Sequence, residues 1–458
     1  MTQLLRCISP IDQSVYAERP LHSPQAIKAA LTQAHAAQKE WANVALGERI
    51  KVVMAGVEML GSMNDEVVPE LARMMGRPVR FRGEFHGVEE RSSYMASIAH
   101  RALKSIEIEH SDAFERRILR VPHGLILVIA PWNYPYMTAI NSVVPGLIAG
   151  NAVCIKHSPQ TLLAGERMVH AFVKAGLPEA LFQNLYLSHE QSEGLLKERA
   201  FDYVNFTGSV DSGAAIEKAA AGTFTPMGLE LGGKDPAFVM SDANLETASH
   251  TLVDGAIFNS GQSCCGIERI YVESAVYDEF VERCVALVKS YQLGNPLDEN
   301  TNLGPMAHRR FAAQVRTQTQ QALSLGAKAL IDTRQFADDG GAYLAPQILV
   351  NVNHDMDVMK RESFGPVLGI MKVKDEHEAL RLINDSPYGL TASLWTQNPD
   401  QATRLGKQID TGTVFMNRAD YLDPALCWTG RKDTGKGGAL SEIGFHNLTR
   451  PQSFHFKK

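Results

Sequence analysis

Apolar residues recur at helical spacing over 24–42 and again over 46–75, where Ile50, Val53, Met54, Val57 and Leu60 share one face. Both stretches read as packing helices without chemistry. The pattern changes at 104–121. Residues 105–110 alternate, 115–121 form a second extended segment, and Ser111-Asp112-Ala113 lies between them, which predicts a hairpin. Such a hairpin is unstable alone and is expected to lean on another domain or subunit. From 124 onward short apolar runs alternate with helical segments. Strands are expected at 124–130, 152–156, 182–187 and 203–207, and helices at 138–149, 161–175 and 209–220. After Glu230 the alternation resumes with a strand at 236–240, a helix at 244–258, a loop carrying two cysteines, a strand at 268–273 and a helix at 276–291. Residues 294–305 are rich in turn formers, and 453–456 allow one more strand. Strand–helix alternation of this kind predicts an α/β fold with parallel sheets wrapped by helices, an architecture that binds dinucleotides at the carboxyl ends of its strands.

A chain of 458 residues is expected to divide into two or three units. Its net charge of −6 is mild and offers no basic cluster, which argues against nucleic acid or an anionic membrane as partner. No apolar run reaches membrane-spanning length. The N-terminus lacks a signal-peptide pattern, so a cytoplasmic location is expected. The six cysteines show no zinc-site spacing and suit a reducing compartment. The histidines form no HExxH pattern, so no metal is assigned.

Chemistry concentrates in a few loops. Ser260-Gly261-Gln262-Ser263-Cys264-Cys265-Gly266 sets a thiol among small residues, and Glu230-Leu231-Gly232-Gly233-Lys234 sets a carboxylate beside two glycines. A thiolate is a strong nucleophile, and a carboxylate can serve it, or a later water, as base. Pro131-Trp132-Asn133-Tyr134-Pro135 follows a strand and offers an amide donor for an oxygen that gains charge, although a rigid turn explains it equally well. Phe206-Thr207-Gly208-Ser209 joins a strand to a helix. Gly208 permits close backbone approach, and Ser209 caps a helix whose N-terminus favours phosphate. No GxGxxG accompanies it. Glu362-Ser363-Phe364-Gly365-Pro366 completes the set.

Taken together, in this order and spacing, these segments closely resemble the aldehyde dehydrogenase superfamily, from about residue 10 to the end. The resemblance implies a doubly wound cofactor domain (1–103 and 122–231), a second α/β catalytic domain (232–438), and an oligomerisation element made of the hairpin and a C-terminal strand (104–121 and 439–458). Cys264 matches the nucleophile, Glu230 the base that activates water, and the Asn133 amide an oxyanion donor. The implied cofactor is NAD, with NADP possible. Lys156, Gly208, Ser209, Glu362, Phe364 and Trp132 match cofactor contacts, while Lys234 and Arg269 read as structural. Tyr134, Met137, Phe258, Cys265, Tyr421 and Trp428 match the substrate pocket. The implied partners are a small aldehyde and further copies of the chain, as a homodimer or homotetramer.

Two departures stand out. Where family members often read Lys-Pro-Ser-Glu, this chain reads Lys156-His157-Ser158-Pro159, so the acid that repels a 2′-phosphate is missing. The usual Pro-Phe-Gly-Gly near the C-terminus is replaced by Cys427-Trp428-Thr429-Gly430. The expected lining is apolar and aromatic and suits a medium aliphatic or aromatic aldehyde. The alternative is a semialdehyde whose carboxylate pairs with Arg418. A relative that passes its acyl group to CoA is disfavoured by Glu230 in the base position, and a non-catalytic relative by retention of both Cys264 and Glu230.

Overall fold

The computed structural model describes residues 3–109 and 111–458. Two open α/β sheets and one small antiparallel sheet organise the chain. The first sheet begins with Leu125–Ala130, a strand buried at every position. Burial on both faces explains its unbroken apolar run. The chain then lays Ala152–His157 and Phe182–Asn184 on one side of it, and Tyr203–Thr207 and Met227–Glu230 on the other, all parallel. The direction of winding therefore reverses between Leu125–Ala130 and Tyr203–Thr207, and ligands of such sheets bind in the crevice at that reversal. Gly435–Lys436 pairs antiparallel with Met227–Glu230 and closes that edge.

The second sheet runs, in spatial order, Lys328–Ala329, Gln347–Val350, Val367–Val373, Ile267–Glu273, Asp235–Val239, Thr391–Trp395 and Thr413–Met416. All neighbours are parallel except the first pair. The third sheet sets Phe114–Pro122 between Ile106–Glu107 and Thr449–Lys457. The expected hairpin is thus present, and its expected neighbour is longer than the four residues foreseen. His110, part of the alternating stretch, lies outside the described residues.

Two expectations need correction. The stretch 46–75 is two helices, Leu46–Ser62 and Asn64–Met75, meeting at Met63. Gly61, two residues before the junction, lies against the Phe85 ring, which a side chain there would meet at 2.0 Å. Asp65 and Glu66 then sit in the first turn of the new helix, where its dipole favours acids. The strand expected at 182–187 stops at Asn184. Beyond it the Tyr186 carbonyl accepts the His22 N–H at 2.9 Å, so the chain leaves the sheet to pair elsewhere.

Candidate active site

A cavity of about 370 Å³ lies where the two larger sheets meet, and Cys264 and Glu230 both line it. Glu230 ends the strand Met227–Glu230, in register with Thr207. The Thr207 hydroxyl donates to its carboxylate at 3.3 Å. Burial raises the Glu230 carboxyl from the usual carboxylate range to about 7, with Thr207 and Arg91 opposing the shift. At that value the group can take or give a proton near neutrality.

Cys264 follows a strained approach. Asn259, Ser260 and Gly261 are successive left-handed residues with φ of 53°, 57° and 70°. Such backbone persists only when its surroundings fix it. Here they do. Ser260 Oγ donates to the Gly304 carbonyl at 2.8 Å, and Gln262 Oε1 accepts the Ala307 N–H at 2.8 Å. A Cβ on Gly261 would stand 2.3 Å from the backbone of Gly365, so this glycine locks the cysteine loop against the loop that carries Glu362 and Phe364. Gly261→Ala is expected to destabilise the fold by about 2 kcal/mol or more, because it adds a backbone clash to an unfavourable φ. Thermal unfolding of the variant checks this; an unchanged midpoint refutes the lock.

Asn133 sits beside the same loop. Its Nδ2 donates to the Gln262 carbonyl at 3.2 Å, which leaves one amide hydrogen unassigned. Its own carbonyl accepts from Asn259 Nδ2 at 3.2 Å and from Arg77. Arg77 pairs with Glu84 at 2.7 Å, and both are almost fully buried. Glu84 also accepts the N–H groups of Tyr136 and Met137 at 3.0 and 2.8 Å, at the start of the helix Pro135–Ile148. One buried ion pair therefore orients the amide, the cysteine loop and a helix N-terminus together. Neither Arg77 nor Glu84 was flagged from sequence.

All six residues expected in the substrate pocket, Tyr134, Met137, Phe258, Cys265, Tyr421 and Trp428, line the cavity. Cys265 is buried and donates to Asp420 Oδ1 at 2.9 Å, an acceptor it shares with Ser263 Oγ at 2.9 Å. Contact with Cys264, then burial, raise the Cys265 thiol well above its ordinary value. Arg418 does not line the cavity. It is exposed, with its guanidinium 3.5 Å from the centre of the Tyr421 ring. The cavity does contain charged residues that sequence reading missed, among them Glu84, Glu90, Arg91 and Asp420.

The residues expected to hold a dinucleotide gather at the carboxyl ends of adjacent strands. Trp132 follows Leu125–Ala130, Lys156 stands near the end of Ala152–His157, and Gly208 and Ser209 follow Tyr203–Thr207. Ser209 caps the helix Val210–Ala220. Gly208 donates its N–H to the Glu230 carbonyl at 3.1 Å, tying this loop to Glu230. Lys156 is buried, has no hydrogen-bond or ion-pair partner among the described residues, and is lowered by burial to about 8. From the second sheet, Glu362 accepts the Gly233 N–H at 3.0 Å, and burial raises it to about 8. A Cβ on Gly232 would meet that carboxylate at 2.3 Å, which accounts for the glycine pair after Glu230. Phe364 meets Trp132 edge-on with ring centres 5.5 Å apart, and Phe311 stacks on Trp132 at 5.0 Å. Phe311 was not foreseen. A lone buried ammonium, a carboxylate with one free oxygen and a capped helix N-terminus fit the hydroxyls and phosphates of a nicotinamide dinucleotide. At the departure noted above, Ser158 caps a short turn that begins with Pro159, and no carboxylate comes from that position.

Lys234 and Arg269 lie away from the cavity lining. Lys234 is fully buried and pairs with Glu268, while its Nζ also reaches Ser363 Oγ at 2.9 Å. Glu268 accepts the N–H groups of Ser363 and Phe364, each at 2.8 Å, and Arg269 donates to the Lys234 carbonyl at 2.7 Å. This network supports the loop that carries Glu362. Among the described residues no group of acids, histidines and cysteines is arranged to hold a metal, and no helix is long and apolar enough to cross a membrane.

Residues 2–454 match the model of the aldehyde dehydrogenase family. The chain is similar to a succinate-semialdehyde dehydrogenase (NADP+) of Deinococcus radiodurans, at 32% identity over 92% of this chain and 88% of that one. It is also similar to a vanillin dehydrogenase of Corynebacterium glutamicum, at 31% identity over 98% and 94% of the two chains. Among solved structures, a succinic semialdehyde dehydrogenase from Streptococcus pyogenes in complex with NADP+ superposes with a TM-score of 0.94 at 28% identity, covering 99% of this chain and 100% of that one.

Proposed function

The chain belongs to the aldehyde dehydrogenase family, and from that premise we propose that Cys264 is its nucleophile and Glu230 its hydrolytic base. The reaction is oxidation of an aldehyde to a carboxylic acid with NAD or NADP. The observation that carries the assignment is that Cys264 and Glu230 line one cavity, with Glu230 held at about 7.

The Cys264 sulfur adds to the aldehyde carbon and forms a thiohemiacetal. The Asn133 amide and the Cys264 N–H receive the resulting oxyanion, which preorganised donors stabilise without reorganising. When bound, a nicotinamide dinucleotide would supply the hydride acceptor, and Lys156, Ser209 and Glu362 would hold it, with Trp132 and Phe364 as its aromatic contacts. Loss of hydride leaves a thioester on Cys264. Glu230 takes a proton from water as its oxygen attacks the thioester carbon, the C–S bond breaks to restore the Cys264 thiolate, the acid departs, and Glu230 returns its proton to solvent. The absence of an acid at Pro159 supports use of NADP as well as NAD.

The test is the absorbance of reduced cofactor over a panel of aliphatic, aromatic and carboxylated aldehydes, with NAD and NADP in parallel and with CoA added or withheld. Turnover that requires no CoA is expected. A strict CoA requirement, or no reduction with any aldehyde, overturns the reading.

The three-stranded sheet supports a further part of the reading, that copies of this chain associate through it. Ile106, Ile108 and Phe456 remain 55%, 38% and 49% exposed on or beside its strands, and a small sheet with bare edges gains by pairing. Light scattering is expected to give a mass of two or four chains; a monomer at micromolar concentration refutes it.

A further inference from the structure

The cavity contains more acids than bases, yet its acids are engaged. Glu84 is held by Arg77 and two backbone N–H groups, and Asp420 by Ser263 and Cys265. Glu90 accepts the Tyr421 hydroxyl, and Glu230 accepts that of Thr207. The group left without an ion pair is a cation, which feels the charges of Glu84 and Glu230 but is bonded to neither. Arg91 lies on the helix Phe85–Ala102, lines the cavity and is only 8% exposed. Its Nη1 donates to the Met137 carbonyl at 3.0 Å and to Asn141 Oδ1 at 3.3 Å. No acid forms an ion pair with it among the described residues, and its Nε and Nη2 have no partner there.

Asn141, on the facing helix Pro135–Ile148, adds a second observation. It is 2% exposed, lines the same cavity, and its Nδ2 is buried without a hydrogen-bond partner. The guanidinium that occupies its Oδ1 fixes which end is the amine. The unmet capacity of the cavity is therefore donor capacity on two adjacent helices. A buried guanidinium is costly to leave unpaired and is suited to a carboxylate, which it can hold with two parallel hydrogen bonds.

We infer that Arg91, assisted by Asn141, is the specificity-determining residue of this site and selects aldehydes that carry a carboxylate at the end remote from the aldehyde. This rests on the proposed aldehyde oxidation and narrows its substrate. The aromatic walls take the carbon stem, and Arg91 takes the terminal anion. The role assigned from sequence to Arg418 passes to a residue within the cavity.

The test uses three aldehydes of equal length ending in a methyl, a carboxylate or an ammonium group, with the purified enzyme and each variant. Wild type is expected to favour the carboxylated aldehyde in kcat/KM. In Arg91→Met the ratio of carboxylated to methyl-ended substrate is expected to fall about 10- to 100-fold, the scale of a lost hydrogen bond to a charged group, chiefly through KM. Arg91→Lys, which keeps the charge and loses the fork, is expected to recover part of the ratio. Equal loss on both substrates marks Arg91 as merely structural and overturns the inference. A wild-type preference for the methyl or ammonium end overturns it too. A chain that oxidises none of the three defeats the aldehyde reading itself, which keeps the two failures distinct. Because a misfolded Arg91→Met would blur the ratio, inhibition of the wild type by dicarboxylates of matching length is measured alongside; no competition with the aldehyde counts against the inference.

Discussion

Cys264→Ala is expected to abolish aldehyde-dependent formation of reduced cofactor, by about 10⁵-fold in kcat, while cofactor binding survives. The magnitude is that of removing a covalent nucleophile, equivalent to about 7 kcal/mol of barrier. Binding should survive because the proposed dinucleotide contacts lie on other loops. Lys156 and Ser209 belong to the first sheet, and Glu362 is held by the Gly233 N–H. Quenching of the intrinsic tryptophan fluorescence on titration with NAD reads that binding separately from turnover. Cys265 cannot stand in for its neighbour. The variant removes the Cys264 contact that contributes most to raising this thiol, but burial and the bonded Asp420 carboxylate remain and still disfavour a thiolate there. Unchanged turnover in the alanine variant would remove Cys264 from the mechanism.

Glu230→Gln is expected to separate the two halves of the reaction. Acylation of Cys264 does not need this carboxylate as its hydrolytic base, so a burst of reduced cofactor stoichiometric with enzyme should appear. Steady turnover should then fall about 10²- to 10⁴-fold, the usual worth of a positioned base. The pH dependence follows from burial. Raised to about 7, the wild-type carboxyl is protonated and idle below that pH and ionised and active above it. The steady rate should therefore climb as pH rises through about 7, and that limb should vanish in the glutamine variant. Stopped-flow absorbance across pH 5.5 to 8.5 reads both effects. Full steady-state activity in the variant, or no burst together with no turnover, would contradict this division of labour.

The parts of this site legible in the sequence were those written as local strings. Cys264 among small residues, Glu230 before its glycine pair and Asn133 between prolines each announce themselves within a few positions, and the strand–helix rhythm placed them near strand ends. Arg77, Glu84, Arg91 and Asp420 carry no such string. Their significance lies in who faces them: Arg77 meets Asn259, and Asp420 meets Ser263, across large sequence separations. A charged residue in a helix reads as a solvated face until packing closes over it, which is how Arg91 escaped notice. Arg418 shows the reverse error. Its place beside Asn417 suggested a ligand, and the fold turned it outward onto the Tyr421 ring.

The pairing of Phe114–Pro122 with Thr449–Lys457 has a consequence for how the chain is made. On the ribosome, the early strand emerges long before its partner, with only the two residues Ile106–Glu107 to cover one edge. The pairing of Gly435–Lys436 with Met227–Glu230 waits almost as long. A nascent chain can therefore build most of the first sheet while leaving its small sheet open and one edge beside Glu230 bare. Those edges are where premature pairing with a neighbouring nascent chain would begin. Gly435–Lys436 seals the edge of the first sheet and Thr449–Lys457 that of the small sheet, so both close only after the segments between them and their early partners have been made.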